Sequence, residues 1–201
     1  MKREPYMKII KSEIEKNGRG RIYVCSDFLM ITNSTNIRKA LSRLKEGKTI
    51  RRLMRGVYDY PEYSKLLQEY VEPDMNMLAE AIARNYGWNI SPGGNVALNQ
   101  LGLSTQVPSV WSYISDGPYK KYEYKSIVLE FKHRANKEIS GMSNKTLLVI
   151  NALKTLGKEQ ITLDGIKSLQ GKLSDKEKQQ LLAEAVGTTA WIFEVVRQIC
   201  Q

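Results

Sequence analysis

Apolar positions in the first thirty residues follow the spacing of short amphipathic helices. Residues 5–16 predict a helix that begins at Pro5 and stops before Asn17 and Gly18. Residues 21–24 predict a short extended segment. Ser26, followed by Asp27 at the positive helix end, predicts the cap of a short helix that runs to about residue 30.

A longer helix is predicted from Thr35 to about Glu46, with Gly47 as its C-cap. Its apolar face is formed by Ile37, Ala40, Leu41 and Leu44. The other faces carry cations and hydrogen-bonding groups, with no acidic residue before Glu46. These polar residues are Thr35, Asn36, Arg38, Lys39, Ser42, Arg43 and Lys45.

Two short strands are predicted next, at residues 49–53 and 56–60, joined by a turn at residues 54–56. A basic β-hairpin directly after a cation-rich helix is typical of the wing of a winged helix-turn-helix domain. The cations of this predicted wing would neutralise DNA phosphates or enter the minor groove. They are Lys48, Arg51, Arg52 and Arg55.

Two helices joined by a tight polar turn indicate a helix-turn-helix, whose second helix lies in the major groove of DNA. Asn36 and Arg38 are the predicted base readers, because Asn bonds adenine and Arg bonds guanine in a bidentate manner. Thr35, Lys39, Ser42 and Arg43 complete the predicted contact set, to bases or phosphates. The alternative is a winged helix used for protein contacts, and the like-charged wing favours DNA.

After residue 61 the pattern becomes a mixture of helices and strands. Residues 61–73 predict a link with some helical character, and Asp74 predicts the cap of a helix that ends at Gly87. Residues 91–94 predict a turn before a short helix. Alternating segments predict a small antiparallel sheet over about residues 88–133.

From about residue 143 to residue 200 the spacing is helical, and Ser174 with Glu177 is typical of a capping box. The predicted fold class is therefore α+β: an N-terminal winged helix-turn-helix, a mixed middle and a helical tail. We predict a DNA-binding domain over residues 1–61 and an α+β domain over residues 62–201.

The charge distribution strengthens the DNA-binding hypothesis. The chain of 201 residues has a formal net charge of +10. Residues 1–60 contain 15 Lys and Arg against 6 Asp and Glu, whereas residues 61–201 contain 16 against 15. A basic module joined to a near-neutral one predicts a polyanionic partner for the first and a different role for the second.

The sequence indicates a cytoplasmic protein without a membrane partner. No apolar run approaches the roughly 20 residues of a membrane span, and the N-terminus lacks the apolar stretch of a signal peptide. Cys25 and Cys200 are therefore expected to be packed thiols in a reducing compartment. One His and two Cys offer no metal cluster, and no cofactor is expected.

No pattern in the sequence indicates an enzyme. The glycines of Ser91–Gly94 lack the spacing and the Lys-Ser/Thr of a phosphate-binding loop. His133 has no nucleophile signature near it and is expected at the surface. The acidic residues of the middle segment form no set spaced for metal or paired-carboxylate chemistry. They are Asp74, Glu80, Asp116, Glu123 and Glu130.

Tyrosines and lysines interleave between residues 113 and 125. Aromatic and basic side chains in this arrangement can stack on bases or contact a nucleic-acid backbone. The favoured alternative is that Tyr113, Tyr119, Tyr122 and Tyr124 pack on the sheet. The second candidate nucleic-acid contact consists of Lys120, Lys121 and Lys125.

Residues 5–61 resemble the winged-helix domain of AbiEi-type antitoxins, which carries a pattern of the form "RL…G.I.RL.RGVY". The matching residues are Arg43, Leu44, Gly47, Ile50, Arg52, Leu53, Arg55, Gly56, Val57 and Tyr58. The resemblance implies a DNA-binding autorepressor with an N-terminal winged helix and a larger C-terminal antitoxin domain. It also implies a neighbouring nucleotidyltransferase-like toxin, countered without a stable complex in a type IV toxin–antitoxin system.

The sequence therefore predicts a sequence-specific transcriptional regulator that binds double-stranded DNA at an inverted repeat in its own promoter. The alternative function is a protein-interaction module that holds a partner through residues 62–201, with the winged helix as an accessory contact.

Overall fold

A computed structural model describes residues 5–134 and 141–201. The chain is a mixed α+β protein that divides into two compact units, Met1–Trp88 and Asn89–Gln201. The division differs from the boundary expected after residue 61, because a helix at residues 75–86 belongs to the first unit. None of the described helices is both long enough and apolar enough to cross a lipid bilayer.

The first unit begins with helix α1 (Pro5–Lys16), strand β1 (Ile22–Val24) and helix α2 (Ser34–Glu46). Strands β2 (Arg51–Met54) and β3 (Val57–Asp59) follow as a hairpin. The three strands form an antiparallel sheet in the order β1-β3-β2. The helices and strands in this part of the chain confirm the predicted order, with small shifts at their ends.

Apolar side chains of both helices form one core with the segment between them. Ile10 and Ile14 of α1 pack in the same buried cluster as Ile37 and Leu41 of α2. Phe28 is 1% exposed and stacks on Tyr23, with ring centroids 5.7 Å apart. The predicted apolar face of α2 is therefore the face that the core buries, whereas of the apolar positions predicted for α1 the core buries Ile10 and Ile14 and leaves Ile9 52% exposed.

The short helix predicted from Asp27 to Met30 is instead a single 3₁₀ turn over Cys25–Phe28. Its N-cap is Val24 rather than Ser26, and the Asp27 carboxylate within the turn accepts a hydrogen bond from Val24 N at 2.9 Å. The Ser26 hydroxyl donates to the Arg84 carbonyl oxygen at 3.4 Å. The turn therefore lies two residues earlier in the chain than the predicted helix.

Residues 61–73 contain a small hairpin, so the helical character expected there was wrong. Strands β4 (Tyr63–Ser64) and β5 (Glu69–Tyr70) are antiparallel. The Tyr63 and Tyr70 rings meet edge to face at 5.4 Å. Leu66 and Leu67, which suggested a helical face, lie exposed in the connecting turn.

Helix α3 (Met75–Tyr86) has the ends that the sequence predicts. The Asp74 carboxylate caps it by accepting a hydrogen bond from Met77 N at 2.8 Å, and Gly87 ends it in the left-handed conformation at φ 69°. Arg84 donates to Asp27 at 3.1 Å and to the Ile22 carbonyl oxygen at 3.1 Å. These contacts explain why the first unit extends to Trp88.

The second unit contains a four-stranded sheet. Its strands are β6 (Ile90–Pro92), β7 (Val110–Ser115), β8 (Lys120–Tyr124) and β9 (Ile127–His133). The order β6-β7-β9-β8 places β9 parallel to β7, so the prediction of an antiparallel sheet was wrong. Strand β8 turns back antiparallel onto the outer side of β9, which leaves β9 to pair with β7 on its other side.

Five helices accompany this sheet among the described residues. They are α4 (Gly94–Gln100), α5 (Asn144–Leu156), α6 (Leu163–Lys172), α7 (Asp175–Glu184) and α8 (Ala190–Ile199). Their apolar faces share one core, which includes Leu101, Leu153 and Val196. The predicted capping box of Ser174 and Glu177 is present at the start of α7. Cys25 and Cys200 are half-buried free thiols.

Candidate nucleic-acid interface

Helix α2 has one apolar face, which is buried, and one polar face. Asn33 caps its start, accepting a hydrogen bond from Asn36 N at 3.0 Å. The side chains of the apolar face are at most 3% exposed, and they are Ile37, Ala40, Leu41 and Leu44. Because these residues face the core, the opposite face of the helix must face outward.

The outward face of α2 carries most of the predicted contact residues. Those exposed to solvent are Thr35, Arg38, Lys39, Ser42 and Arg43. Asn36 is half-buried, and its amide Nδ2 donates to Thr32 Oγ1 at 3.1 Å. The Ser42 hydroxyl donates to Glu46 Oε1 at 3.1 Å. The helix thus presents cations along its length and holds its acidic residue at the last turn.

The β2–β3 hairpin adds further exposed cations next to α2 in the chain. Its turn requires Gly56 at φ 81°, a left-handed conformation that a residue with a side chain rarely adopts. Lys48, Arg52 and Arg55 are exposed, and Arg52 Nε donates to the Met54 carbonyl oxygen at 3.2 Å. Three of the four predicted wing cations are therefore at the surface.

Arg51, the fourth predicted wing cation, is held by the protein itself. Its Nη2 lies 2.6 Å from Asp59 Oδ2 and its Nε 3.2 Å from Asp59 Oδ1. Arg51 also donates to the Val71 carbonyl oxygen at 3.0 Å. Arg51 and Asp59 are directly opposed across β2 and β3, and Asp59 is only 2% exposed. A phosphate-binding role expected for Arg51 is therefore replaced by a structural ion pair.

We call the exposed cations of α2 and the hairpin the basic face. It is defined as Arg38, Lys39, Arg43, Lys48, Arg52 and Arg55. Two lysines of α1 that were not predicted as contact residues lie next to Arg43 of this face. Lys8 and Lys11 line a small cleft of about 170 Å³ together with Arg43. The signal available in the sequence was the i, i+3 spacing of these lysines opposite the apolar face of α1.

The second candidate nucleic-acid contact consists of Lys120 and Lys121 on β8 and Lys125 directly after it, and these lysines contact neighbouring side chains. Tyr113 and Tyr124 are buried, at 1% and 8% exposure, and Tyr122 is half-buried, as expected if they pack on the sheet, whereas Tyr119 is 57% exposed. Lys121 pairs with Glu130 at 3.3 Å, and hydrogen bonds with Tyr119 and Glu130 raise the Lys121 pKa. Lys120 and Lys125 lie over the rings of Tyr122 and Tyr124. Lys121 is thus engaged within the protein, while Lys120 and Lys125 remain exposed.

Glu130 is a buried carboxylate at the centre of these contacts. It is 8% exposed and accepts a hydrogen bond from the Tyr119 hydroxyl at 2.5 Å. Lys132 lies 3.2 Å from its other oxygen. The Tyr119 hydrogen bond, supported by Lys132 and Lys121 and opposed by burial, holds the Glu130 pKa below its usual value.

Replacing Glu130 with Gln is expected to lower the free energy of unfolding at pH 7 by about 1–2 kcal/mol, a modest value because both lysines are half-exposed. The lowered pKa means that the ionised carboxylate stabilises the fold above pH 4.5, and this contribution is lost as the pH falls through the folded-state pKa. Urea denaturation should therefore show the two proteins converging in acid. Exposed Glu123→Gln is the control, and an equal effect of both variants would refute the prediction.

The remaining candidate residues of the middle segment show no catalytic arrangement among the described residues. His133 Nδ1 lies 2.9 Å from the Gly117 carbonyl oxygen, at the exposed end of β9. Ser91 and Pro92 belong to β6, so only Gly93 forms the junction before α4 that was expected over residues 91–94.

The described residues thus define a mixed α+β protein with an exposed basic face on α2 and its hairpin. A model described as a family of unknown function, DUF6088, matches residues 9–182. The chain belongs to this family, which covers both structural units. No curated protein matches the sequence.

Proposed function

We propose that residues 5–60 form a winged helix-turn-helix that binds double-stranded DNA, with α2 as the recognition helix and the β2–β3 hairpin as the wing. The observation that carries this proposal is the composition of α2. Its apolar face is buried, and its outward face offers Arg38, Lys39 and Arg43 without an opposing acid until Glu46.

The dimensions and order of the elements support the proposal. Helix α2 has 13 residues, which corresponds to a length of about 20 Å. A helix of this kind fits the major groove, which is roughly 12 Å wide. The order helix, strand, turn, helix, hairpin places a basic hairpin directly after the candidate recognition helix.

The positions of the side chains along α2 suggest separate roles. Asn36 and Arg38 lie in the first turns, where a recognition helix contacts base edges. Asn36 would have to exchange its Thr32 contact for a base, whereas Arg38 is already exposed. Lys39 and Arg43 are suited to bases or phosphates, and the exposed hairpin cations are suited to phosphates or the minor groove.

We further propose that the protein represses its own promoter as an antitoxin of the AbiEi type. The supporting observation is the resemblance of residues 5–61 to that winged-helix domain. In this role the operator is an inverted repeat, and a nucleotidyltransferase-like toxin is encoded next to the protein. The second unit then provides the antitoxin activity.

Fluorescence anisotropy with labelled duplexes tests the DNA-binding proposal. The full-length chain is expected to bind the region upstream of its own gene about 1,000-fold more tightly than a scrambled duplex. The affinity should fall steeply between 50 and 200 mM salt, with a slope of about 1 for each phosphate contacted. Equal binding to the two duplexes, or binding insensitive to salt, would refute sequence-specific recognition.

A further inference from the structure

A cleft of about 830 Å³ opens within the second unit. One wall is the face of the sheet that carries Val110, Ser112 and Ile114 of β7, which alternate outward from the strand. The opposite wall is one side of α5. It contributes Leu147, Ile150, Asn151, Lys154 and Thr155, at the spacing of a single helical face. A volume in the range of roughly 300–1,000 Å³ is typical of small-molecule sites.

The cleft has an apolar lining between its two walls. Val110 and Ile114 come from the sheet, and Leu147 and Ile150 come from the helix. Leu147 and Ile150 are 6% and 3% exposed, and Ile150 belongs to the helical core, whereas Val110 on the sheet is 44% exposed. An apolar ring or chain entering the cleft would remove water mainly from Val110 and the half-buried Ile114, which favours binding.

The charged side chains of the cleft are mainly cationic. Lys132, Arg134 and Lys154 line it together with a single acid, Glu130. Glu130 is already neutralised by Lys121 and Lys132. Arg134 and Lys154 are exposed, and within residues 5–134 and 141–201 neither forms an ion pair. Among the described residues, the cleft therefore carries two cations without an acidic partner, Arg134 and Lys154, beside an apolar lining.

Two uncharged polar side chains, Asn151 and Thr189, also line the cleft. Asn151 is 6% exposed, and its Nδ2 donates to Pro92 O at 3.0 Å and to Ser91 Oγ at 3.3 Å. These bonds fix the amide while its oxygen remains an acceptor for a bound molecule. Thr189 lines the cleft at the start of α8, where its hydroxyl makes no capping bond.

We propose that this cleft binds a small organic anion: an apolar body in contact with β7 and α5, whose carboxylate or phosphate pairs with Arg134 and Lys154. Arg supplies a planar pair of donors for such groups, and Lys supplies a point charge. A neutral ligand would leave both cations unused, and an inorganic anion would leave the apolar lining in water. This inference does not depend on DNA binding.

The test uses a fluorescent apolar anion, 8-anilinonaphthalene-1-sulfonate, and its neutral relative N-phenyl-1-naphthylamine, which has the same rings without the sulfonate. The full-length chain is expected to bind one sulfonate probe per molecule, about tenfold more tightly than the neutral probe. The Arg134→Gln and Lys154→Gln double variant should lose about tenfold in affinity for the sulfonate probe and keep its affinity for the neutral probe.

The matched control removes two exposed lysines elsewhere in the second unit, as Lys167→Gln with Lys176→Gln. Its affinity for the sulfonate probe should stay within about twofold of the unmodified chain. Equal losses in the two double variants, or equal binding of the two probes by the unmodified chain, would overturn the proposal. The comparison of the two probes on the unmodified chain can overturn the proposal even if the cleft variant fails to fold.

Competition identifies the anionic group. Adenosine monophosphate and benzoate, added separately, distinguish a phosphate from a carboxylate, and displacement of the sulfonate probe by either supports the site. Inorganic phosphate should displace the probe at least tenfold less effectively. Displacement by inorganic phosphate at equal concentration would contradict the role assigned to the apolar lining.

Discussion

Replacing Arg38 and Arg43 together with Glu is expected to weaken binding to the upstream duplex on the order of 1,000-fold at constant salt. Both side chains lie on the outward face of α2, where glutamates would meet the phosphates with the wrong charge. Each lost contact is worth about 1–3 kcal/mol, and the reversed charges add repulsion. Anisotropy titrations with the labelled duplex measure this loss directly.

A matched variant separates specific contacts from the net charge of the chain. The Lys16→Glu and Lys65→Glu double variant changes the net charge by the same amount, at exposed positions outside α2 and the β2–β3 hairpin. Its affinity should fall by no more than about threefold, because distant surface charges are screened at physiological salt. Similar losses in the two variants would show that α2 is not the contact surface.

Replacing Arg51 with Ala is expected to lower the free energy of unfolding by about 3 kcal/mol. The substitution leaves the Asp59 carboxylate, 2% exposed, without the guanidinium that donates to both of its oxygens. An uncompensated buried charge costs about 3–5 kcal/mol, and the partial exposure of Arg51 places the estimate at the lower end. Urea denaturation of the full-length chain measures the change.

The neighbouring residue provides the control for Arg51. Arg52 is exposed, so Arg52→Ala should change the unfolding free energy by no more than about 0.5 kcal/mol while weakening DNA binding. The Arg51→Met and Asp59→Leu double variant should recover most of the lost stability, since no buried charge remains. Equal stability losses for Arg51→Ala and Arg52→Ala would contradict the assignment of Arg51 to the fold.

The sequence predicts those parts of the fold that depend on nearby residues. Helix α1 ends at Lys16, before Asn17 and Gly18, and α3 lies between Asp74 and Gly87, because a cap and a stop signal act within one turn of a helix. The outward face of α2 is predictable for the same reason. Its periodicity assigns each side chain to the core or to solvent before any tertiary contact is known.

The features that were missed depend on strand register, on strand order or on residues distant in the chain. The pairing of Arg51 with Asp59 follows from the register of β2 and β3, which places the two directly opposite each other. The parallel pairing of β7 with β9 depends on the order of strands in the sheet, and the alternation of each strand does not specify that order. The cleft also combines a strand that ends at Ser115 with a helix that begins at Asn144.

The attachment of α3 to the first unit determines where the chain can be cut. A fragment that ends at residue 61 would lose Arg84, and with it the side chain that bonds both Asp27 and the Ile22 carbonyl oxygen. The 3₁₀ turn between β1 and α2 would then lack its outer support. Truncations designed to study the basic face in isolation should therefore retain the chain through Trp88.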